Sequence, residues 1–185
     1  MNRIDETRTF IPLRIAVLTV SDTRTQKTDK SGPLLAQFIE DAGHVLADRA
    51  VVEDDEKAIR KQVKKWIKDK EIDAVITTGG TGFTGRDVTP EAVRPLFEKE
   101  IEGFSTIFHM LSYQTVGTST VQSRACGGLA GGTFIFCLPG SPGACEDAWK
   151  GILVHQFDNR HRPCSFIEVM PRLEEHKGAQ KKAKG

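Results

Sequence analysis

The residues best placed for chemistry lie in one stretch, Thr77-Thr78-Gly79-Gly80-Thr81-Gly82-Phe83-Thr84-Gly85-Arg86-Asp87-Val88-Thr89-Pro90-Glu91. Glycines carry no Cβ, so their backbone N–H groups can approach an anion closely, and a glycine loop between a strand and a helix is a phosphate-binding arrangement. The loop is neither of the two common phosphate motifs. It has no Gly-Lys-Ser/Thr ending, and although Gly80, Gly82 and Gly85 fit the dinucleotide spacing by count, the helix starts too late. Asp87 is the oddity, because a carboxylate beside phosphate is repulsive unless a hard divalent cation lies between them. The plainer alternative is that Asp87 caps a turn.

Other residues carry weaker signals. Glu53-Asp54-Asp55-Glu56 places four acids where a strand meets a helix, and there Asp54 or Asp55 serves as an N-cap. Ser123-Arg124, in a hydroxyl-rich run, could hold a phosphate. Cys126, Cys137, Cys145 and Cys164 form no C-x-x-C and have no histidine at zinc spacing, so they read as core thiols in a reducing compartment. His109 sits among apolar residues and reads as exposed or satisfied.

These residues must be positioned by a sheet. Arg14 to Ser21, Ile72 to Ile76 and Thr133 to Leu138 are near-continuous apolar runs, the pattern of strands buried on both faces. Val45 to Val52 reads as another strand. Between them, helices are marked by Leu34, Leu35, Phe38 and Ile39, then by Ile59, Val63, Trp66 and Ile67, and later by Cys145, Ala148, Trp149 and Ile152. Ser31, Thr89 and Ser141 read as N-caps, Gly43 as a stop, and Pro95 as a helix breaker. Gly127, Gly128, Gly131 and Gly132 read as turns, and residues 163–170 as a short edge strand. The fold class is a single-domain, doubly wound, mostly parallel α/β/α sandwich, with ligands expected beyond the carboxyl ends of its strands.

The 185 residues divide into a loose arm over 1–12, one domain over 13–172 and a basic, disordered tail over 173–185. With 38% hydrophobic and 28% charged residues and a net charge of +1, nothing pulls the whole chain toward nucleic acid. No stretch reaches the length of a membrane span, and Met1 to Phe10 has no apolar signal core, so the expected location is the cytoplasm.

The glycine loop with Arg86-Asp87-Val88-Thr89-Pro90-Glu91, together with Gln122-Ser123-Arg124-Ala125 and Leu138-Pro139-Gly140-Ser141-Pro142, resembles the MoaB/MogA family of molybdenum cofactor biosynthesis. Thr19-Val20-Ser21-Asp22 and Asp29-Lys30-Ser31-Gly32 match it as well. Ile101-Glu102-Gly103-Phe104, Gly117-Thr118-Ser119-Thr120 and Arg162-Pro163-Cys164 make the likeness strongest to MoaB-type members, and it covers residues 9–172. The resemblance implies a molybdopterin-binding domain that transfers AMP from ATP to the pterin's terminal phosphate and releases pyrophosphate.

By position the resemblance makes Asp55 and Asp87 the catalytic carboxylates, acting through Mg²⁺, and puts Ser123 at the pterin phosphate. Ser21, Asp22, Ser31, Gly79, Gly80, Thr81 and Gly82 become substrate-binding positions, as do Thr89, Glu91, Arg124, Pro139, Gly140 and Ser141. Some MoaB-type members have Asn at the position of Asp55, and keeping both acids favours activity. A homotrimer or a hexamer is implied, with the pathway's metal-insertion enzyme as a further partner and neither nucleic acid nor membrane. One alternative is a molybdopterin carrier or scaffold without catalysis. A CinA-type nucleotide pyrophosphatase fits less well, since that domain has Gly-Gly-Leu-Gly-Pro-Thr and paired Asp where this chain has Thr81 and a single Asp87.

Overall fold

A computed structural model describes residues 3–175; of the tail read over 173–185, residues 176–185 lie outside the described residues, while Leu173 is no part of a loose tail and packs against the core. After a short β1 (Arg3–Ile4), the first long apolar run forms β2 (Arg14–Val20), buried from Ile15 onward. Its side chains alternate between two cores. Ile15 and Val17 join one cluster with Leu35, Ile39 and Trp149, while Ala16, Leu18 and Val20 join another with Ile59, Val63 and Trp66. A strand flanked on both faces has no solvent side to take regular polar positions, which is why its sequence lacks alternation; its one buried polar residue, Thr19, is satisfied by Asp29 at 2.7 Å.

The chain continues through α1 (Ser31–Asp41), β3 (Val45–Val52), α2 (Glu56–Lys68), β4 (Ala74–Thr78) and α3 (Thr89–Val93). Next come β5 (Lys99–Glu100), α4 (Glu102–Val116), β6 (Cys126–Ala130) and β7 (Thr133–Leu138). Then α5 (Pro142–Ala148) passes through a π turn into α6 (Val154–Gln156), followed by β8 (His161–Arg162) and α7 (Phe166–Val169). The main sheet runs β3-β2-β4-β7-β6-β5; its first four strands are parallel, β6 pairs antiparallel with β7, and β5 pairs antiparallel with β6.

The strand order reverses beside β2, with β3 on one side and β4 on the other. Such a switch point opens a crevice at the strands' carboxyl ends. Register makes those ends level, because Val20 pairs with Val52, Thr19 with Thr78, and Thr78 with Leu138. The four following loops therefore meet at one edge of the sheet.

Several sequence expectations need correction. The N-terminal arm is not loose: β1 pairs antiparallel with β8, and the Ile11 N–H donates to Asn159 Oδ1 at 2.9 Å. Residues 163–170 add no edge strand; the pairing strand is β8, and Phe166–Val169 is helical, with Phe166 stacked on Phe134. Gly127 and Gly128 belong to β6, where a Cβ would collide with the rings of Phe136 and Phe97. Gly131 and Gly132, with φ of +60° and +88°, make the β6–β7 turn. Pro95 acts as read, since α3 gives way to a 3-10 turn over Arg94–Leu96. Cys126, Cys137 and Cys145 are buried, but Cys164 is exposed.

Candidate functional site

The glycine loop leaves β4 through two residues that only glycine suits. Gly79 and Gly80 have φ of +106° and +64°, and a Cβ at Gly79 would collide with the Val20 carbonyl. The loop is then fastened from several sides. The Gly79 N–H donates to the Leu138 carbonyl at 3.0 Å, and Thr89 Oγ1 donates to the Gly79 carbonyl at 2.8 Å. Thr89, read as an N-cap, spends its hydroxyl on that bond and lies fully buried. Asp87 does close a turn, accepting from the N–H and hydroxyl of Thr84 at 2.9 and 2.6 Å. Partial burial pushes the Asp87 carboxyl up, but the Thr84 hydrogen bonds outweigh it and hold the group below its ordinary value.

A cavity of about 800 Å³ opens over this loop. It collects most of the expected positions: Ser21, the Gly79 to Gly82 run with Thr81, Asp87, Ser123, and the Pro139-Gly140-Ser141 turn. Ser141 also caps α5, accepting from the Ala144 N–H at 3.2 Å.

Other expected residues stand behind the wall and are not among those lining the cavity. Arg124 donates through Nε to the Gly82 carbonyl and through Nη2 to the Asp87 carbonyl, each at 2.8 Å, and pairs with Glu91 through Nη1. Its guanidinium is thus committed to the loop's own backbone, and Glu91 to that guanidinium. Ser31 is no helix cap; its hydroxyl donates to the Gly140 carbonyl at 2.9 Å, while Asp29 Oδ1 accepts from the N–H groups of Ser31 and Gly32. Asp22 takes both Nε and Nη2 of Arg86 at 2.8 Å, and this pairing holds its carboxyl below the ordinary range.

The acidic run resolves into two roles. Asp55 Oδ1 accepts from the Ala58 N–H at 2.8 Å, capping α2, and its side chain is absent from the cavity lining. Asp54 lines the cavity instead, with its Oδ1 close over Gly80. Burial, together with the nearby charges of Asp22 and Asp87, raises its carboxyl above the ordinary value. Asp54 and Asp55 part in this way because adjacent residues at a strand's end point in different directions, and only the fold decides which one points inward.

The far wall was read only as a polar loop. It comes from the end of α4 and the 3-10 turn Gly117–Gln122, which bring Ser112, Thr115, Ser119 and Thr120 to the cavity, and from Glu146 and Asp147 of α5. No group of three or more His, Cys, Asp or Glu able to hold a metal occurs among the described residues. Asp54, from the loop after β3, and Asp87, from the glycine loop, are the carboxylates of this lining that could hold a cation such as Mg²⁺, which prefers oxygen ligands.

A doubly wound sheet whose switch-point loops open a cavity lined by a glycine loop, Asp54 and Asp87 has the architecture of a ligand-binding domain with its site at the strands' carboxyl ends. The sequence profile described as a probable molybdopterin binding domain matches residues 16–159, and the chain belongs to this family, within molybdenum cofactor biosynthesis. It is 50% identical over 157 residues to molybdenum cofactor biosynthesis protein B of Escherichia coli K12, covering 85% of this chain and 92% of that protein. A crystal structure of a molybdenum cofactor biosynthesis protein B superposes with a TM-score of 0.77 at 42% identity, over 80% of this chain and 92% of the other. The tungsten cofactor synthesizing protein MoaB from Pyrococcus furiosus superposes at 0.66 with 35% identity, over 79% and 93%. No helix among the described residues is long and apolar enough to cross a membrane.

Proposed function

We propose that this chain binds molybdopterin in the 800 Å³ cavity and adenylylates it with Mg-ATP. An oxygen of the pterin's terminal phosphate attacks the α-phosphorus of ATP; the bond to the β-phosphate oxygen breaks, and pyrophosphate leaves. The observation that carries this reading is the facing of Asp54 and Asp87 over the Gly79 to Gly82 loop. Both reactants are polyanions, and the lining supplies no lysine or arginine to separate them. Backbone N–H groups answer part of that charge. Bound at Asp54 and Asp87, Mg²⁺ would supply the remaining charge neutralisation.

The chain's own residues do the positioning. Gly79 and Gly80 let the backbone approach the phosphates, and Ser123 and Ser141 offer hydroxyl donors at the rim of the same cavity. Arg124 and Arg86 act one layer back, holding the loop and the Asp22–Asp54 pair in place. Self-association into a trimer or a hexamer belongs to this reading, supported by the exposed apolar residues Ile107, Met110 and Tyr113 along α4.

The test is to mix the protein with molybdopterin, ATP and Mg²⁺ and to follow pyrophosphate and the adenylylated pterin. Product that requires Asp87 supports the transferase. Tight pterin binding without product would leave a carrier.

A further inference from the structure

Four buried side-chain polar atoms among the described residues have no hydrogen-bond partner: the hydroxyls of Thr77, Thr120 and Ser165, and Nδ1 of His161. Only Thr120 of these lines the main cavity, and it is 7% exposed. A hydroxyl hidden from water without a partner costs free energy, so the fold has reason to keep one there if a ligand completes it. Nearby, the Thr115 hydroxyl stands 2.9 Å from Asp147 Oδ2, fixing the carboxylate of α5 against the end of α4. Asp147 Oδ1 has no hydrogen bond among the described residues.

This wall carries acceptors, whereas the glycine loop carries donors. A ligand that spans both needs a phosphate at one end and N–H groups at the other. The amino-pyrimidinone edge of a pterin has that second character: its 2-amino group and N3–H point the same way, and the 4-oxo group adjoins them. A carboxylate accepts from both N–H groups at once, and a hydroxyl donates to the oxo group. Adenine fits poorly, because its N1 lone pair would face the carboxylate.

We infer that Asp147 and Thr120 read the amino-pyrimidinone edge of the ligand, and so set the specificity of the site for a pterin. The inference rests on the molybdopterin reading above. Guanine shares the same edge, so the test must separate the two sources.

Pterin fluorescence gives the readout. Pterin and lumazine (2-oxo in place of 2-amino), each followed by its own fluorescence, and guanosine, followed by its displacement of pterin, are titrated into the full-length protein and into Thr120→Val and Asp147→Asn. Lumazine should bind at least tenfold more weakly than pterin to the native protein, and Asp147→Asn should erase that preference. Thr120→Val should weaken pterin binding about fivefold while its melting temperature stays level or rises, since the orphan hydroxyl is gone. A merely structural threonine would lower the melting temperature and spare binding. Equal binding of pterin and lumazine, no binding of either at millimolar concentration, or tighter binding of guanosine overturns the inference. Molybdopterin itself is titrated alongside. If it binds the native protein and both variants alike, this inference alone falls; if it fails to bind the native protein, the molybdopterin reading falls as well.

Discussion

Asp22 and Asp54 exchange hydrogen bonds, the Asp22 N–H donating to Asp54 Oδ2 at 2.9 Å and the Asp54 N–H to Asp22 Oδ1 at 3.1 Å. This reciprocal clasp ties the loop after β2 to the loop after β3 and turns Asp54, rather than Asp55, toward the cavity.

Asp54→Asn and Asp87→Asn should therefore each lower AMP transfer by a hundredfold or more, the scale on which one preorganised charge contributes to a transition state. Asp55→Asn should retain most of the rate, and its stability should change by less than about 0.5 kcal/mol, since Asn caps a helix as well as Asp. Pyrophosphate release and thermal melts on the three variants decide this. An inactive but fully stable Asp55→Asn protein would return the cation-binding role to Asp55.

Arg124 yields a second expectation. Its three bonds hold the Gly82 and Asp87 carbonyls and Glu91, a fork that one lysine ammonium cannot reproduce. Arg124→Lys should cost about 1–2 kcal/mol of stability and should loosen the loop, visible as faster amide exchange at Gly82 to Asp87. Were the variant fully stable and defective only in phosphate binding, Arg124 would be a direct anion ligand after all.

The sequence made the glycine loop, the strands β2, β4 and β7 and the N-cap Ser141 legible because each depends on its immediate neighbours. Strand β6 was hidden. Gly127 and Gly128 look like turn residues, and what demands them is the packing of Phe136 and Phe97, the latter 31 residues earlier in the chain, where a side chain would have to stand. Strands β1 and β8 were hidden for a similar reason, since a two-residue strand has no pattern of its own and exists only through a partner 157 or more residues away in sequence. At the site, residue types were readable but directions were not. Asp55 caps α2 while Asp54 lines the cavity, and Arg124 turns to the loop's own carbonyls, because only the packing of the loops determines which side chain faces the cavity.

His44 gives the fold an acid sensitivity. Its Nδ1 accepts from the buried Leu13 N–H at 3.1 Å, and burial lowers its pKa from 6.5 to about 4, against the opposing charge of Asp158. The folded protein holds this ring neutral, while the unfolded chain protonates it below pH 6.5. Its contribution is therefore complete above pH 6.5 and is lost as pH falls toward 4, amounting to at most about 3 kcal/mol at about 1.4 kcal/mol per pH unit. In His44→Asn the amide oxygen can keep the Leu13 bond without titrating. Denaturant melts should show the native protein losing ground to the variant between pH 6.5 and 4, and a constant difference across that range would refute the assignment.

The face of α4 makes the last prediction. Ile107, Met110 and Tyr113 are 44, 60 and 59% exposed, and their three-residue spacing puts them within about a third of the helix circumference. Apolar side chains gathered in this way mark a contact surface more often than scattered ones do. Light scattering should give three or six times the chain mass, and Met110→Glu with Tyr113→Glu should shift that mass downward, because each new carboxylate would lose water on burial without gaining a partner. Far-ultraviolet circular dichroism should remain unchanged, since neither residue belongs to the core. An unaltered mass in the double variant would place the association elsewhere, and a native protein that is a monomer would remove it altogether.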